Sequence, residues 1–232
     1  MLKTKEAIIL AGGLGTRLKG VISNIPKPMA PVANQPFLKY ILDYLDKQGI
    51  ERVVLSVGYK YEVIKDYFSN HYKNIELVYS IENEPLGTGG GIRLAVDKLE
   101  GDSAFIINGD TFFDVDLSAQ EDLALSGNSD LCLALKIMRD FDRYGSVELL
   151  GNRIVKFKEK QLVKTGLING VVYWLKKDLL SPFNSGDKFS FEKDIMEKEL
   201  SNKIILGFIS DTYFIDIGIP EDYEQANIDF KG

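Results

Sequence analysis

One histidine and one cysteine are all that this chain offers of the residues that most often bind metals or attack electrophiles. His71 follows Ser69-Asn70 near the end of an expected helix, where it reads as a surface residue. Histidine-built metal centres and triads are therefore excluded. Cys132 lies in the apolar run Leu131–Leu135 and reads as a buried core thiol, and a single cysteine cannot form an intramolecular disulfide. Positive charge is also scarce. Lys and Arg total 28 against 34 Asp and Glu, a net charge of −6, which argues against a nucleic-acid or anionic-membrane partner. No apolar stretch approaches the roughly 20 residues of a membrane span, and no signal-peptide pattern opens the chain, so a cytoplasmic location is expected. Internal repeats, low-complexity tracts and a hexapeptide-repeat tail are absent too, so no appended β-helix is expected.

What is present reads as one domain of 232 residues with an ordinary apolar share of 45%. Short apolar runs predict strands at 7–10, 52–57, 76–79, 104–108 and 131–137. Helical patterns fall between them at 37–48, 62–68, 88–99 and 118–125. In the first helix Leu38, Ile41, Leu42 and Leu45 form one apolar face. Strands joined by helices predict a parallel, doubly wound sheet of α/β class. From about residue 140 the texture becomes β-rich. A hairpin is expected over 147–150 and 154–158 around Gly151-Asn152, then a strand at 167–175, a helix at 191–200, strands near 204–208 and 213–217, and a helix opening at Pro220.

The most informative stretch begins at Leu10-Ala11-Gly12-Gly13 and continues through Gly15-Thr16-Arg17-Leu18 to Pro26-Lys27-Pro28. An apolar strand runs directly into a loop with three glycines, whose backbone N–H groups can approach a polyphosphate unhindered by Cβ atoms. Arg17 and Lys27 add fixed positive charge. The reading is a nucleoside triphosphate site. It is not a P-loop, because G-x-x-x-x-G-K-[ST] does not occur. It is not a dinucleotide fingerprint, because Leu18 stands where the third glycine belongs.

Further along, the strand ending at Ile107 runs into Asn108-Gly109-Asp110-Thr111. Ligands sit beyond the carboxyl ends of parallel strands, which places Asp110 beside the glycine-rich loop. A turn aspartate is the alternative; a carboxylate ligand for Mg²⁺ is the reading that the loop favours. Asp216 interrupts the apolar run Tyr213–Ile217, where a charge needs a partner, either a metal or a cation. Asp114 and Asp116 are expected to open the next helix.

Taken together, G-G-x-G-T-R-L followed by P-K-P resembles the signature of the sugar-1-phosphate nucleotidyltransferases. The phrases PLGTGG, NGDTFFDVDL, DFDRYG, FKEK, GLING and YFIDIGIPEDY resemble most the D-glycero-α-D-manno-heptose 1-phosphate guanylyltransferases within that family. The resemblance spans about residues 7–223. It implies a Rossmann-like nucleotidyltransferase fold: a mostly parallel, mixed central sheet flanked by helices, with a smaller β-rich sugar-binding part. A nucleotide-binding half would occupy about 1–140 and a sugar-phosphate-binding half about 141–232. It implies Mg²⁺ held by Asp110 and Asp216, and GTP and a sugar 1-phosphate, heptose 1-phosphate first, as substrates. Catalytic roles fall to Arg17, Lys27 and Asp110. Tyr79–Gly91 resembles the nucleobase loop, with Pro85, Gly87 and Thr88 near the base. Glu82 there could accept the two adjacent donors of guanine. Lys160 would bind the sugar phosphate, and Glu159, Asn169 and the Tyr144-Gly145 loop the sugar. Where the family often has a further glycine after Gly170, this chain has Val171. The expected product is a GDP-heptose for bacterial surface polysaccharide, made by a monomer or homodimer.

Two other classes compete. A non-catalytic nucleotide-sugar sensor could dispense with Lys27, Asp110 or Asp216, and all three are retained. A glycosyltransferase would use a D-x-D metal motif; Asp114-Val115-Asp116 matches in form but lies well past the strand end.

Overall fold

The computed structural model describes residues 2–13 and 25–231. Gly15, Thr16 and Arg17 lie outside the described residues. In chain order the strands of the first half are β1 (Glu6–Leu10), β2 (Pro31–Val32), β3 (Gln35–Pro36), β4 (Arg52–Val57), β5 (His71–Tyr72), β6 (Ile75–Ile81), β7 (Ser103–Asn108) and β8 (Thr111–Phe113). Those that follow are β9 (Leu131–Phe141), β10 (Ser146–Leu150), β11 (Arg153–Lys158), β12 (Val163–Lys176), β13 (Ile205–Ser210) and β14 (Phe214–Asp216). The α-helices are α1 (Phe37–Gln48), α2 (Tyr61–Phe68), α3 (Gly87–Val96), α4 (Leu117–Ser126) and α5 (Pro220–Asp229).

Period-two alternation builds three layers. Along β1, Ala7 and Ile9 face one side and Ile8 the other, all fully buried. Val53 and Leu55 of β4 and Phe105 and Ile107 of β7 join the first side, under α1, α2 and α4. Val54, Ala104 and Ile106 join the second, where α3 lays down Ile92, Ala95 and Val96. Helices therefore cover both faces of the strands, as burial on both sides of a parallel sheet requires. Helix α1 buries Leu38, Ile41, Leu42 and Leu45, and stops at Gly49, which takes a left-handed φ of 85°.

The ten-stranded sheet runs β10-β11-β13-β9-β12-β7-β1-β4-β6-β5. Parallel ladders hold β7-β1-β4-β6 and β13-β9. Antiparallel ladders dominate the second half, because its connections there are short. The long β12 lies antiparallel between β7 and β9, pairing Val172 with Ile107 and Leu167 with Ile137. It also pairs with β10, so that β10, β11, β13, β9 and β12 close a circuit of five strands. The hairpin turns at Gly151, as its Gly-Asn pair predicts, with φ +60°. His71 is exposed, in β5 rather than in the preceding helix. Cys132 is fully buried, and burial pushes its thiol up to about 12.

Helix α3 opens with an unusual run of glycines. Gly90 is buried, and a Cβ on it would stand 2.4 Å from the Asp187 carbonyl oxygen and 2.6 Å from Leu86 Cβ. Alanine is otherwise preferred to glycine inside a helix by about 1 kcal/mol. Here the close approach of the 187 backbone reverses the sign. Gly90→Ala should destabilise the protein by about 1–3 kcal/mol, the scale of overpacking. Urea unfolding of the two proteins measures this, and a stabilised variant would contradict it.

Candidate functional site

The carboxyl ends of β1, β4, β6 and β7 surround a cavity of about 730 Å³. Leu10, Ala11, Gly12 and Gly13 line it from β1, and Ser56, Gly58 and Tyr59 from β4. Glu82, Asn83, Glu84, Pro85, Gly87 and Thr88 follow β6, while Asn108, Asp110, Lys27 and Pro28 complete the wall. The volume suits a small organic ligand. Most residues expected at the nucleotide are thus brought together. Gly109 stands behind the wall: its N–H donates to the Leu10 carbonyl at 2.9 Å, and a Cβ on it would meet Pro28 Cγ at 2.9 Å. It lets the Pro26–Pro28 segment close onto β1.

That closure sets Lys27. The segment Lys27–Met29 is a single 3-10 turn with Pro28 and Met29 buried. The Lys27 ammonium lies 2.5 Å from Asp110 Oδ2 and 3.9 Å from Asp216 Oδ1, with its side chain only 13% exposed. The two carboxylates are 106 positions apart in sequence, and a backbone ladder joins them. In β8–β14, Asp216 pairs with Thr111, and the Ile217 N–H donates to the Asp110 carbonyl at 3.0 Å. Asp216 Oδ1 also accepts from the Gly218 N–H at 2.8 Å. A Cβ on Gly218 would stand 2.8 Å from Asp216 Oδ1 and 3.2 Å from Lys27 Nζ. Sequence reasoning missed Gly218, although it follows the aspartate by two residues. Burial, then the charge of Asp110, raises the Asp216 carboxyl above its ordinary range, while Lys27 and the Gly218 N–H pull the other way. Asp116 caps α4, its carboxylate accepting from Ala119 N–H at 3.0 Å, so the D-x-D pattern is a helix start.

Glu82 is half-buried on the cavity wall. Its Oε1 accepts from Ser56 Oγ at 3.1 Å and its Oε2 from the Leu86 N–H at 3.2 Å. It therefore braces the loop before α3, and each oxygen keeps lone-pair capacity toward the cavity. Ser56 and Tyr59 have no signal in the sequence; both stand at the end of a buried strand.

The residues expected to meet the sugar are divided. Tyr144 is half-buried, with its ring edge on Phe214 at 6.2 Å. Burial, with the Asp216 charge adding to it, pushes its phenol up to about 12. Gly145 abuts β11: a Cβ would stand 2.5 Å from the Lys158 carbonyl oxygen. Glu159 and Lys160 are exposed in the turn that follows β11. Asn169 stands at a break in β12, where the register slips between Asn169 and Tyr173. Its Oδ1 accepts from the Val171 N–H at 3.0 Å and its Nδ2 donates to Tyr173 Oη at 2.9 Å. Val171 takes φ +55°, a left-handed conformation costly for a β-branched residue. The sequence signal that a glycine belongs near here is thus a real backbone demand, which Val171 meets under strain.

Raising the pKa of an acid on folding lowers stability as pH rises from its ordinary value through its folded value. Asp216→Asn should therefore melt about 2–4 °C higher than the wild type at pH 7 without added metal, the ~1 kcal/mol scale of relieving a site group. The gain should fade as the pH falls through the raised value toward the ordinary aspartate value of about 3.9, below which folded and unfolded chains alike take up the proton. Melting curves from pH 4 to 8 test this; an equal shift at every pH would contradict it.

Comparison with known proteins places the constellation. Residues 6–231 match the Nucleotidyl transferase family model. A D-glycero-alpha-D-manno-heptose 1-phosphate guanylyltransferase of Aneurinibacillus thermoaerophilus is 54% identical over 221 residues, 95% of this chain and 96% of its own length. One of Campylobacter jejuni subsp. jejuni serotype O:2 is 53% identical over 94% of this chain and 96% of its own. The crystal structure of HddC from Yersinia pseudotuberculosis complexed with GMP-PN has a TM-score of 0.88 at 40% identity, over 98% of this chain and 100% of that one. A family match over nearly the full chain, with a lysine between two carboxylates beside a glycine-lined cavity, has one consequence: this protein belongs to the nucleotidyl transferase family.

Proposed function

We propose that the protein transfers GMP from GTP to D-glycero-α-D-manno-heptose 1-phosphate, releasing pyrophosphate and forming a GDP-heptose. The observation that carries nucleotidyl transfer is the Lys27 ammonium held between Asp110 and Asp216 at the wall of the glycine-lined cavity. Guanine and heptose are supported by what the relatives of similar length are named for.

The chemistry asks for charge management more than for a general base. A sugar phosphate is mostly dianionic at pH 7, since its second pKa is about 6. Its oxygen attacks the α-phosphorus in line, and pyrophosphate leaves. Two polyanions must meet, and cations that neutralise them also stabilise charge on the equatorial oxygens. Lys27 serves the reacting phosphates in this reading, and Lys160 the sugar phosphate. Arg17, outside the described residues, is assigned to the pyrophosphate side.

Enzymes of this family generally use a divalent metal, and the residues present fit one. Asp110 and Asp216 present hard oxygen donors to a common point that a cation already occupies, and Asp216 is held there against its own tendency to protonate. These two carboxylates would hold Mg²⁺, which supplies charge neutralisation at the phosphate oxygens when bound. Glu82 is assigned to the guanine N1–H and N2–H. Tyr144, Gly145, Glu159 and Asn169 are assigned to sugar hydroxyls. Asn169 retains acceptor capacity beyond its internal bonds, while its amide N–H groups are directed at Tyr173 Oη and Met196 Sδ.

Pyrophosphate release with four nucleotides and three acceptors tests the whole reading. GTP should be preferred, with heptose 1-phosphate first, mannose 1-phosphate second and glucose 1-phosphate last. A hydroxyl left unpaired is rejected far more strongly than a small change of size. Glucose 1-phosphate in first place would refute heptose and leave nucleotidyl transfer intact. Lys27→Ala and Asp110→Asn should each lower kcat by about 10²-fold or more. Glu82→Gln should lower kcat/KM for GTP by about 10-fold or more, the scale of a charge-assisted contact, and change UTP or dTTP much less. An equal fall for every nucleotide would leave Glu82 only its brace on Ser56 and Leu86.

A further inference from the structure

The nucleotide loop at 86–91 is backed by a segment about one hundred residues later in the chain. The Phe189 N–H donates to the Leu86 carbonyl at 3.1 Å, and the Gly89 N–H returns to the Phe189 carbonyl at 3.1 Å. A Cβ on Gly87, whose φ is +77°, would stand 2.6 Å from the Phe189 oxygen. Gly87 and Gly90 therefore answer to the 187–189 backbone behind the loop, Gly89 to the Phe189 ring, and Gly91 to Glu82 and Ser56. Next comes Phe191–Glu197, a π-helical segment packed on the α3 side of the sheet.

Thr88 joins the two segments by its side chain. Its hydroxyl donates to Glu192 Oε2 at 2.7 Å and accepts from the Phe191 N–H at 3.0 Å. Its one donor is therefore committed inside the protein. Ser190 Oγ donates to the same Glu192 oxygen at 2.8 Å. Its neighbours on the same segment, Phe191 and Met196, carry the contacts on toward β12. The Phe191 ring lies 5.7 Å from that of Tyr173, and Met196 Sδ lies 3.9 Å from Asn169 Nδ2. Tyr173 is fully buried and its oxygen takes the Asn169 N–H. Burial holds its phenol far above the usual range, and the Glu192 charge raises it further.

We propose that Glu192 is a positioning residue that fixes the nucleotide loop at Thr88 and the acceptor residue Asn169 in one frame, so that binding of the sugar phosphate depends on a carboxylate that touches neither substrate. This rests on the reading of Asn169 as an acceptor-site residue. A carboxylate that merely capped its own short helix would need Ser190 and not Thr88, which lies 104 positions away on the opposite half of the chain.

Wild type, Glu192→Gln, Thr88→Val, Thr88→Ser and the Glu192→Gln/Thr88→Val double variant are compared by pyrophosphate release. Melting temperature and GTP dissociation constant without acceptor are measured in parallel. Glu192→Gln and Thr88→Val should each lower kcat/KM for heptose 1-phosphate by about 10-fold or more, the scale of a lost charge-assisted hydrogen bond. For Glu192→Gln, whose side chain is not part of the cavity wall, the GTP dissociation constant should move less than about threefold, under the ~1 kcal/mol of an ordinary hydrogen bond. The double variant should be little worse than either single one, because one interaction is removed twice. Thr88→Ser, which keeps the hydroxyl, should retain more of kcat/KM for heptose 1-phosphate than Thr88→Val. Additive losses overturn the proposal. So does a GTP affinity that falls with Glu192→Gln as far as its acceptor kinetics do, or a lower melting temperature with unchanged acceptor kinetics. If Glu192→Gln does not fold, Thr88→Val against Thr88→Ser carries the same comparison. A wild type inactive on heptose 1-phosphate refutes the functional reading instead, and the series is then run on the acceptor that the wild type uses.

Discussion

Two carboxylates forced to share one ammonium is the arrangement on which the rest of this site depends. Asp110 and Asp216 are brought face to face by backbone, since a two-stranded ladder and the Ile217–Asp110 hydrogen bond leave their side chains little choice. Burial disfavours a charge there, and the like charge of Asp110 adds to the cost, which is why Asp216 is harder to ionise than a free aspartate. Lys27 offsets part of this. Elsewhere the structure over-determines the strand that carries Asp216. The α5 helix is tied down by Tyr223, whose hydroxyl donates to the Pro31 carbonyl, and by Asn227, which accepts from the Ala33 N–H. Phe230 packs edge-on against Phe37 and Phe112. Local discomfort at a charged site, stabilised by packing around it, is how function-bearing geometry persists in a folded chain.

The strand β12 performs the complementary task. By pairing antiparallel with both β7 and β9 it makes one sheet of two halves with different textures. Its buried end is anchored by Trp174, whose indole N–H donates to Thr4 Oγ1 at 3.0 Å. Its other end joins the five-strand circuit. The break in register falls between these ends, and there Asn169 leaves the ladder. A register break of this kind re-aims the side chains beside it. The positive φ of Val171 is the local cost of that re-aiming.

Much of this was legible in the sequence. Helix α1 was bounded correctly because its apolar spacing is strict and Gly49 ends it. The strand that leads into Asp110 and the hairpin at Gly151 were legible because alternation and turn chemistry are local signals. Asp116 was correctly read as a helix start. Long-range pairing was not legible. Nothing near residue 170 says that β12 runs antiparallel beside β7, and nothing near residue 88 says that Thr88 meets Glu192. The sequence signalled that Asp216 needs a cationic partner; that Lys27 is one such partner, shared with Asp110, emerges only from the fold. Glu82 was read from base chemistry alone, and its contacts with Ser56 and Leu86 required the neighbouring strand to be seen.

The same distinction explains why a strap should cross between the two halves at all. Joining two phosphorylated substrates in line requires the attacking oxygen to lie within about 3–3.5 Å of phosphorus, and an error of about 1 Å can cost 10²-fold in rate. A nucleotide held by the ends of β1, β4 and β6 and an acceptor held by β12 would each be well placed within their own half. Their relative placement rests on whatever is rigid between them. The β7–β12 ladder supplies one such connection behind the cavity. The Phe189–Glu192 segment supplies another beside it, clamped to the nucleotide loop by backbone hydrogen bonds and by the Thr88 hydroxyl. Two connections that meet at Tyr173 but leave the nucleotide half by different elements resist relative rotation of the halves better than one. Close approach at Gly87 and Gly90 admits the second connection, backbone hydrogen bonds at Leu86 and Gly89 align it, and the Glu192 carboxylate, taking hydroxyl hydrogens from both Thr88 and Ser190, adds the side-chain contact between its two segments.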